Sequence, residues 1–467
     1  MNFTYEPLTE KQVEAIHQAT LDVLWECGAE MNHPAILEIF KKHGAAVEGN
    51  IVKIPANLIE NAIKSTPASF ILEGVDPKHS VKIGHNDHPI MAPNTCSPFM
   101  IDDDFTRRNA TFDDLKNFFK LAQTSDVCEL GSTLLVFPVE NATQHESIMQ
   151  PVYDYFTHCT KAMGLSNACV ENVCMAQEIL DVLIEQEDVN KMYVSLCPIS
   201  PLRFEENLLN TLIKAIEFRQ PIECVPCSSA GMTGPLKAID DAVLSNAENL
   251  ALITLVQLMA PGLPMIYSVY SAITDMRTLQ LSTGAPETFK MLAMCREMAK
   301  YYDIPFEMPS GGSDAKAFDV QAPMESTLGI VNAFATKTDT CTFMFGSLDT
   351  FNSASYRKFI LDEETVRNVQ AYIKPVDDLR DTTASLITRV GHHDTYIKNK
   401  DTLKNYRKEH HFPKFSHRMS HADYVKEHLS VNDRLDKILK ERLEAYEKPA
   451  IDKDELKKLD AIRDKYL

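Results

Sequence analysis

From about residue 88 the chain alternates between short apolar runs and longer stretches in which apolar residues return every three or four positions. The short runs read as strands at 88–94, 127–136, 161–166, 192–199, 222–229, 264–270, 304–310 and 339–347. They are apolar at successive positions and often bounded by proline, as parallel strands covered on both faces require. Between them the helical period predicts helices over 112–124, 143–158, 171–186, 204–219, 236–259, 286–302 and 323–337, with an eighth near 363–373. Eight strand–helix units in succession predict an α/β chain closed into a parallel (β/α)8 TIM barrel. A doubly wound open sheet is the alternative, and it carries no preference for eight.

The pattern differs on either side of this region. Residues 1–87 read as an N-terminal, mainly helical extension. There Thr9 and Gln12 form a capping box before Val13, Ile16, Leu21 and Leu24, and a second helix covers 34–43. A further short strand and helix meet around Pro55. The barrel is assigned to 88–375, and 376–467 forms a C-terminal helical extension. In that extension the polar, aromatic run GHHDTYIKNKDTLKNYRKEHHFPKF precedes two charged amphipathic helices, 432–446 and 452–466. Helices of this kind pack on the barrel or on a second subunit, so a homo-oligomer is expected.

Composition narrows the function. The net charge of −19 over 467 residues argues against a general nucleic-acid or anionic-membrane surface. The most apolar run, LALITLVQLMAPGLPMIYSVY, is broken by Pro261, Gly262 and Pro264, and reads as a buried helix leading into a buried strand. The opening MNFTYEPLTEKQ carries no secretory pattern, and an odd eleven cysteines read as reduced thiols of a cytoplasmic protein. Cys224 and Cys227 form one CxxC spacing within a strand pattern, where the two face opposite ways, and no second pair matches it. The adjacent pairs His392–His393 and His410–His411 lack zinc-ligand spacing, so no metal is expected.

A barrel of this kind places its chemistry where strands end and helices begin. The stretch Pro309–Glu325, PSGGSDAKAFDVQAPME, stands out there, because Gly311 and Gly312 let a loop present Ser313, Asp314, Lys316, Asp319 and Gln321. Other loops contribute Asn94, Tyr267, Tyr270, Asp275, Arg277, Phe345, Asp349, Phe351 and Tyr356. No GxGxxG, GxxxxGK[ST] or GxSxG motif occurs, and Gly231–Pro235 reads as a tight turn before a helix.

The runs AGMTGPLKAIDDAVLSNAENLALITLVQLMAPGLPMIY, SAITDMRT…GAPE and GGSDAKAFDVQAPMES resemble the trimethylamine methyltransferase superfamily, as does the GHHDTYIKNKDTLKNYRKEHHFPKF run. The resemblance spans roughly residues 90 to 460. It implies a (β/α)8 barrel that moves a methyl group from an amine to the Co(I) of a separate corrinoid protein. The cobalamin would belong to that partner, with no cofactor held tightly by this chain. Trimethylamine-specific members carry pyrrolysine. This chain has only the twenty standard residues and is similar to the pyrrolysine-free branch, whose substrates include glycine betaine, proline betaine, carnitine and γ-butyrobetaine.

That departure is chemically consistent. A quaternary ammonium already carries its charge and leaves as a neutral tertiary amine, so position and exclusion of water suffice and no catalytic residue is assigned. Tyr267, Tyr270, Phe345, Phe351 and Tyr356 are the candidate cation cage, each desolvated contact being worth up to ~2 kcal/mol. Arg277, Lys316 or backbone amides would anchor a substrate carboxylate, and Asn94 lies at the first loop. Asp275 and Asp314 either face the ammonium or pair with Arg277 and Lys316, while Gln321 and Glu325 orient the loop. Two other functions fit the same resemblance: a non-catalytic betaine-binding barrel, and a zinc-dependent methyl transferase to a corrinoid protein.

Overall fold

A computed structural model describes residues 3–102 and 106–467. Its core is an eight-stranded sheet in which every neighbouring pair is parallel. In chain order the strands are β1 (Ile90–Met91), β2 (Gly131–Ser132), β3 (Met163–Leu165), β4 (Tyr193–Leu196), β5 (Ile222–Cys224), β6 (Met265–Ser268), β7 (Phe306–Pro309) and β8 (Thr340–Thr342). The ladder runs from β2 through to β8 and on to β1. The ring closes where the Glu129 and Leu130 amides donate to the Met91 carbonyl, at 2.8 and 3.1 Å. The expected barrel is therefore present.

The eight helices follow their strands: α1 (Phe112–Thr124), α2 (Gln144–His158), α3 (Val170–Leu183), α4 (Glu206–Glu217), α5 (Ala238–Met259), α6 (Pro286–Tyr302), α7 (Gln321–Thr336) and α8 (Tyr356–Ile373). The last begins at Tyr356 rather than near 363, capped by Ser355. Its apolar stripe is disguised because Lys358, Asp362, Glu363 and Glu364 are all buried. The strands are shorter than the apolar runs that predicted them. Residues past each strand end turn into loops roofed by two small sheets, one joining Ser229–Ala230, Ala272–Asp275 and Gln280–Ser282, the other joining Phe99–Ile101, Arg107–Asn109, Ser347–Leu348 and Ser353–Ala354. These loops stay apolar because they are covered.

The flanking segments are woven into the barrel. Strand Ala29–Met31 pairs in parallel with Arg203–Phe204 of the loop after β4, and helices Glu10–Glu26 and Ala56–Ser65 pack on α5. Sandwiched in this way, α5 is buried on all sides; it is long and apolar enough to cross a membrane, yet its most apolar window is 83% buried inside the fold. The hairpin Phe70–Leu72 and Val81–Ile83 plugs the lower end of the barrel, with Phe70, Leu72 and Ile83 packed against Ile90, Leu130, Tyr193 and Ile266. At the other end of the chain, helix Val431–Glu444 packs on α8 and α1, and Lys453–Tyr466 on α3 and α2.

Candidate functional site

Strand parity decides which side chains enter the barrel. On β5, Ile222 and Cys224 join the layer between sheet and helices, which turns Glu223 into the ring. On β7, Phe306 and Met308 do the same and leave Glu307 inside. Both carboxyls are buried. Tyr193 and Tyr270 donate to Glu307 at 3.3 and 3.0 Å, and the Tyr270 hydroxyl also meets Thr342 at 2.8 Å. Ser195 donates to Glu223 at very short range. Tyr193 has room for its ring only because Gly164 stands beside it, where a Cβ would fall 2.2 Å from the tyrosine Cζ. Burial pushes both carboxyls above the ordinary range, and their mutual repulsion pushes Glu307 further. Two such groups cannot both be ionised cheaply, which favours a proton shared between them.

Above this pair opens a cavity of about 940 Å³, lined by Thr95, Ser166, Asn167, Ser195, Val225, Tyr270 and Phe343 among others. Phe343 meets Tyr270 edge-on at 5.4 Å and stacks on Phe351 at 4.0 Å. Phe343 and Phe351 both hold left-handed backbone, φ 53° and 69°, an uncommon state for bulky residues that the surrounding loop must enforce. Four thiols, Cys96, Cys169, Cys197 and Cys227, also line the cavity. Burial pushes Cys96 and Cys227 up to about 11, so they stay neutral. The outer end, toward α3 and α4, is polar and includes Glu171, Asn207, Asn210 and Lys214.

The stretch Pro309–Glu325 acts as a latch among three loops. Asp314 accepts from Ser282, from the Thr283 amide and hydroxyl at 2.8 and 3.0 Å, and from Thr350 at 3.1 Å. Glu325 of α7 accepts from Ser313, the Asp314 amide and Gln321 at 2.6, 2.8 and 2.7 Å, and so orients the loop. Its glycines serve close approach rather than unusual backbone angles. A Cβ on Gly311 would sit 2.5 Å from the Phe343 and Met344 carbonyl oxygens, and one on Gly312 would sit 2.5 Å from the Phe351 ring. Buried Lys358 locks the turn from beneath, donating to the Gly311 carbonyl at 2.8 Å and to Asp362 at 2.7 Å.

The residues anticipated from the sequence fall into separate groups. Tyr270 lines the cavity, and Phe351 stacks behind the wall it shares with Phe343. Tyr267 is turned outward, donating to Asn246 of α5 at 3.0 Å, and Phe345 packs on Phe359 of α8 at 5.3 Å. Tyr356 lies against Phe118 and donates to Asp114 at 2.8 Å. Asn94 is buried beside the mouth, donating to Ser97 and the Leu135 carbonyl at 2.8 and 2.9 Å. Arg277 pairs with Asp275 at 2.6 Å on an exposed hairpin, its side chain 88% accessible. Lys316 pairs with Asp349, also at 2.6 Å, rather than with Asp314. Neither cation lines the cavity. Cys224 lies behind the sheet and Cys227 at the mouth, so the CxxC thiols face different layers. Among the described residues, no group of three or more His, Cys, Asp or Glu could hold a metal.

Glu223, Glu307, Ser195 and Phe343 were not singled out from the sequence. A signal existed for the glutamates: single acids inside the apolar runs IEC and FEM, where a charge is buried only for a reason.

Known proteins of similar sequence and shape agree with this architecture. Glycine betaine methyltransferase from Desulfitobacterium hafniense (strain Y51) is 32% identical over 465 residues, covering 98% of this chain and 96% of that protein. L-carnitine:corrinoid methyltransferase from Eubacterium limosum is 30% identical, covering 94% and 92%, and proline betaine:corrinoid methyltransferase from the same organism is 29% identical, covering 96% and 94%. The crystal structure of Methanosarcina barkeri monomethylamine methyltransferase (MtmB) shares the fold at TM-score 0.55 and 12% identity, over 100% of this chain and 88% of that one. The family model for trimethylamine methyltransferase (MTTB) matches residues 2–465, and on that match the chain belongs to the trimethylamine methyltransferase family.

Proposed function

We propose that this chain moves a methyl group from a betaine-type quaternary amine to the Co(I) of a separate corrinoid protein. The observation that carries this reading is the aromatic wall of the cavity. This wall, Phe343 backed by Phe351 and met edge-on by Tyr270, bounds the cavity, and Tyr270 bonds Glu307 of the buried carboxyl pair behind it. A permanent cation without N–H groups is held by ring faces and by a nearby negative field. Nothing in such a site has to activate a leaving group, because the quaternary nitrogen departs as a neutral amine.

The relatives named as glycine betaine, carnitine and proline betaine methyltransferases support the same substrate class. The polar outer end of the cavity, with Lys214, Asn207 and Asn210, is the place for the substrate's other end. Arg277 and Lys316 would act there only after leaving their aspartates. The cobalamin belongs to the partner, which docks over the mouth. The exposed apolar side chains Ile387, Ile397, Leu403 and Phe412 of the C-terminal extension support a homo-oligomer, and eleven free thiols suit the reducing cytoplasm.

The test is direct. The protein is mixed with cob(I)alamin and, one at a time, glycine betaine, proline betaine, carnitine and γ-butyrobetaine, and the cobalt absorbance is followed. Substrate-dependent formation of methyl-Co(III) is expected for at least one. Binding without methyl transfer would identify a betaine-binding barrel instead.

A further inference from the structure

Methyl displacement from a quaternary amine needs no acid, yet the barrel encloses one. Glu223 and Glu307 face each other from β5 and β7. Tyr193 from β4 and Tyr270 after β6 face Glu307, Thr342 from β8 meets the Tyr270 hydroxyl, and Ser195 faces Glu223. Among the described residues no lysine or arginine pairs with either carboxyl. Glu223 Oε1 is buried without a donor. The Ser268 hydroxyl also lies against Glu223 and is itself unpaired, while between the two carboxyls a donor exists only when one of them is protonated. Tyr270 connects the pair to the cavity, since it bonds Glu307 and lines the chamber where the amine must sit.

We propose that this pair supplies the proton that captures the tertiary amine once its methyl group has gone, with Tyr270 passing it to nitrogen. This rests on the methyl-transfer reading. In the transfer, the C–N bond breaks and leaves its electron pair on nitrogen, while the methyl carbon bonds to cobalt. The Tyr270 hydroxyl, which donates to Glu307 beforehand, turns its proton to the nitrogen lone pair, and its oxygen then takes the proton of Glu307. The amine becomes an ammonium, the pair goes from one negative charge to two, and solvent returns its proton after release. The quaternary substrate has no N–H to offer a carboxylate, whereas the protonated product has one. Protonation also removes the lone pair that would attack methyl-Co(III), so the forward transfer is not reversed in the site. Tyr270 touches the reacting nitrogen, and Glu307 and Glu223 act through it.

The test compares ligands that differ only in that methyl group, using the full-length protein. Glu307→Gln mimics the protonated member and keeps the net charge of the pair, but it cannot give up a proton. Calorimetry with glycine betaine and with dimethylglycine, or with the pair matching whichever betaine the wild type demethylates, should show the two ligands weakened unequally, the tertiary amine the more. Tertiary amine binding should fall about tenfold or more, the worth of a charge-assisted hydrogen bond. Re-methylation of the tertiary amine by methylcobalamin should rise in Glu307→Gln and in Tyr270→Phe. Glu223→Gln carries the same expectation should Glu307→Gln fail to fold. Equal losses for both ligands, or no loss for either, would overturn the proton-donor role while leaving methyl transfer intact. A wild-type protein that demethylates none of the four betaines would overturn the methyl-transfer reading, and this proposal with it.

Discussion

Replacing Phe343 by leucine isolates the part of binding that depends on charge. The ring is 5% exposed, so a cation against it is desolvated and the contact lies toward the upper end of the range, up to ~2 kcal/mol. One of its faces is taken by Phe351 at 4.0 Å, which leaves a single face for the ligand. One desolvated face therefore predicts a loss of about 1–2 kcal/mol, roughly 5- to 30-fold in affinity. Leucine keeps most of the apolar volume, so contact with the methyl groups is largely retained. The assay is calorimetric binding of glycine betaine beside its neutral-headed isostere 3,3-dimethylbutanoate, in wild type and variant. The betaine should weaken and the isostere should hardly change. Phe345→Leu is the control, because that ring packs on Phe359 behind the sheet and should cost roughly 1–2 kcal/mol of stability without changing the ratio. Parallel weakening of betaine and isostere in Phe343→Leu would refute the cation–ring argument, as would an altered ratio in the control.

Gly311→Ala should destabilise by about 3 kcal/mol in denaturant titrations, since backbone oxygens at 2.5 Å cannot yield. Gly312→Ala meets only the tip of the Phe351 ring, and should cost about 1 kcal/mol while disturbing the stack that ring makes with Phe343. Lys358→Met should cost about 3–5 kcal/mol by leaving Asp362 buried without its cation, and a Lys358→Met, Asp362→Leu double variant should recover part of the loss. Burial in α5 pushes Glu248 up to about 7 from its ordinary 4.5, so the folded state holds that proton more tightly than the unfolded chain. Stability from this group is fully present below about pH 4.5 and is lost as pH rises through about 7. Unfolding midpoints between pH 5 and 8 should accordingly fall less steeply in Glu248→Gln.

The barrel was legible because eight buried parallel strands need unbroken apolar runs and the helices need a regular period or, in α5, a long apolar run, and these are local patterns. Nothing local marks the flanking hairpin, Phe70–Leu72 with Val81–Ile83, as the plug beneath the barrel. The site was less legible. A list of residues near strand ends contains both inward and outward side chains, and the register decides between them. Tyr267 on β6 faces α5, while Tyr270 three residues later enters the mouth. Phe345 follows Phe343 by two positions, yet Phe343 has a left-handed backbone and the alternation no longer applies there.

What the amino-acid order determined by itself was the set of elements, the (β/α)8 class and the family likeness, since each depends on spacing along the chain. Only the closed ring decided that two glutamates 84 positions apart, Glu223 and Glu307, would share one dry enclosure. Likewise it decided that Lys316 and Arg277 would be occupied by Asp349 and Asp275 instead of facing a ligand. The physical reason is that charge and desolvation depend on what surrounds a group in space. Sheet closure brings those neighbours from distant strands, which no window along the chain contains.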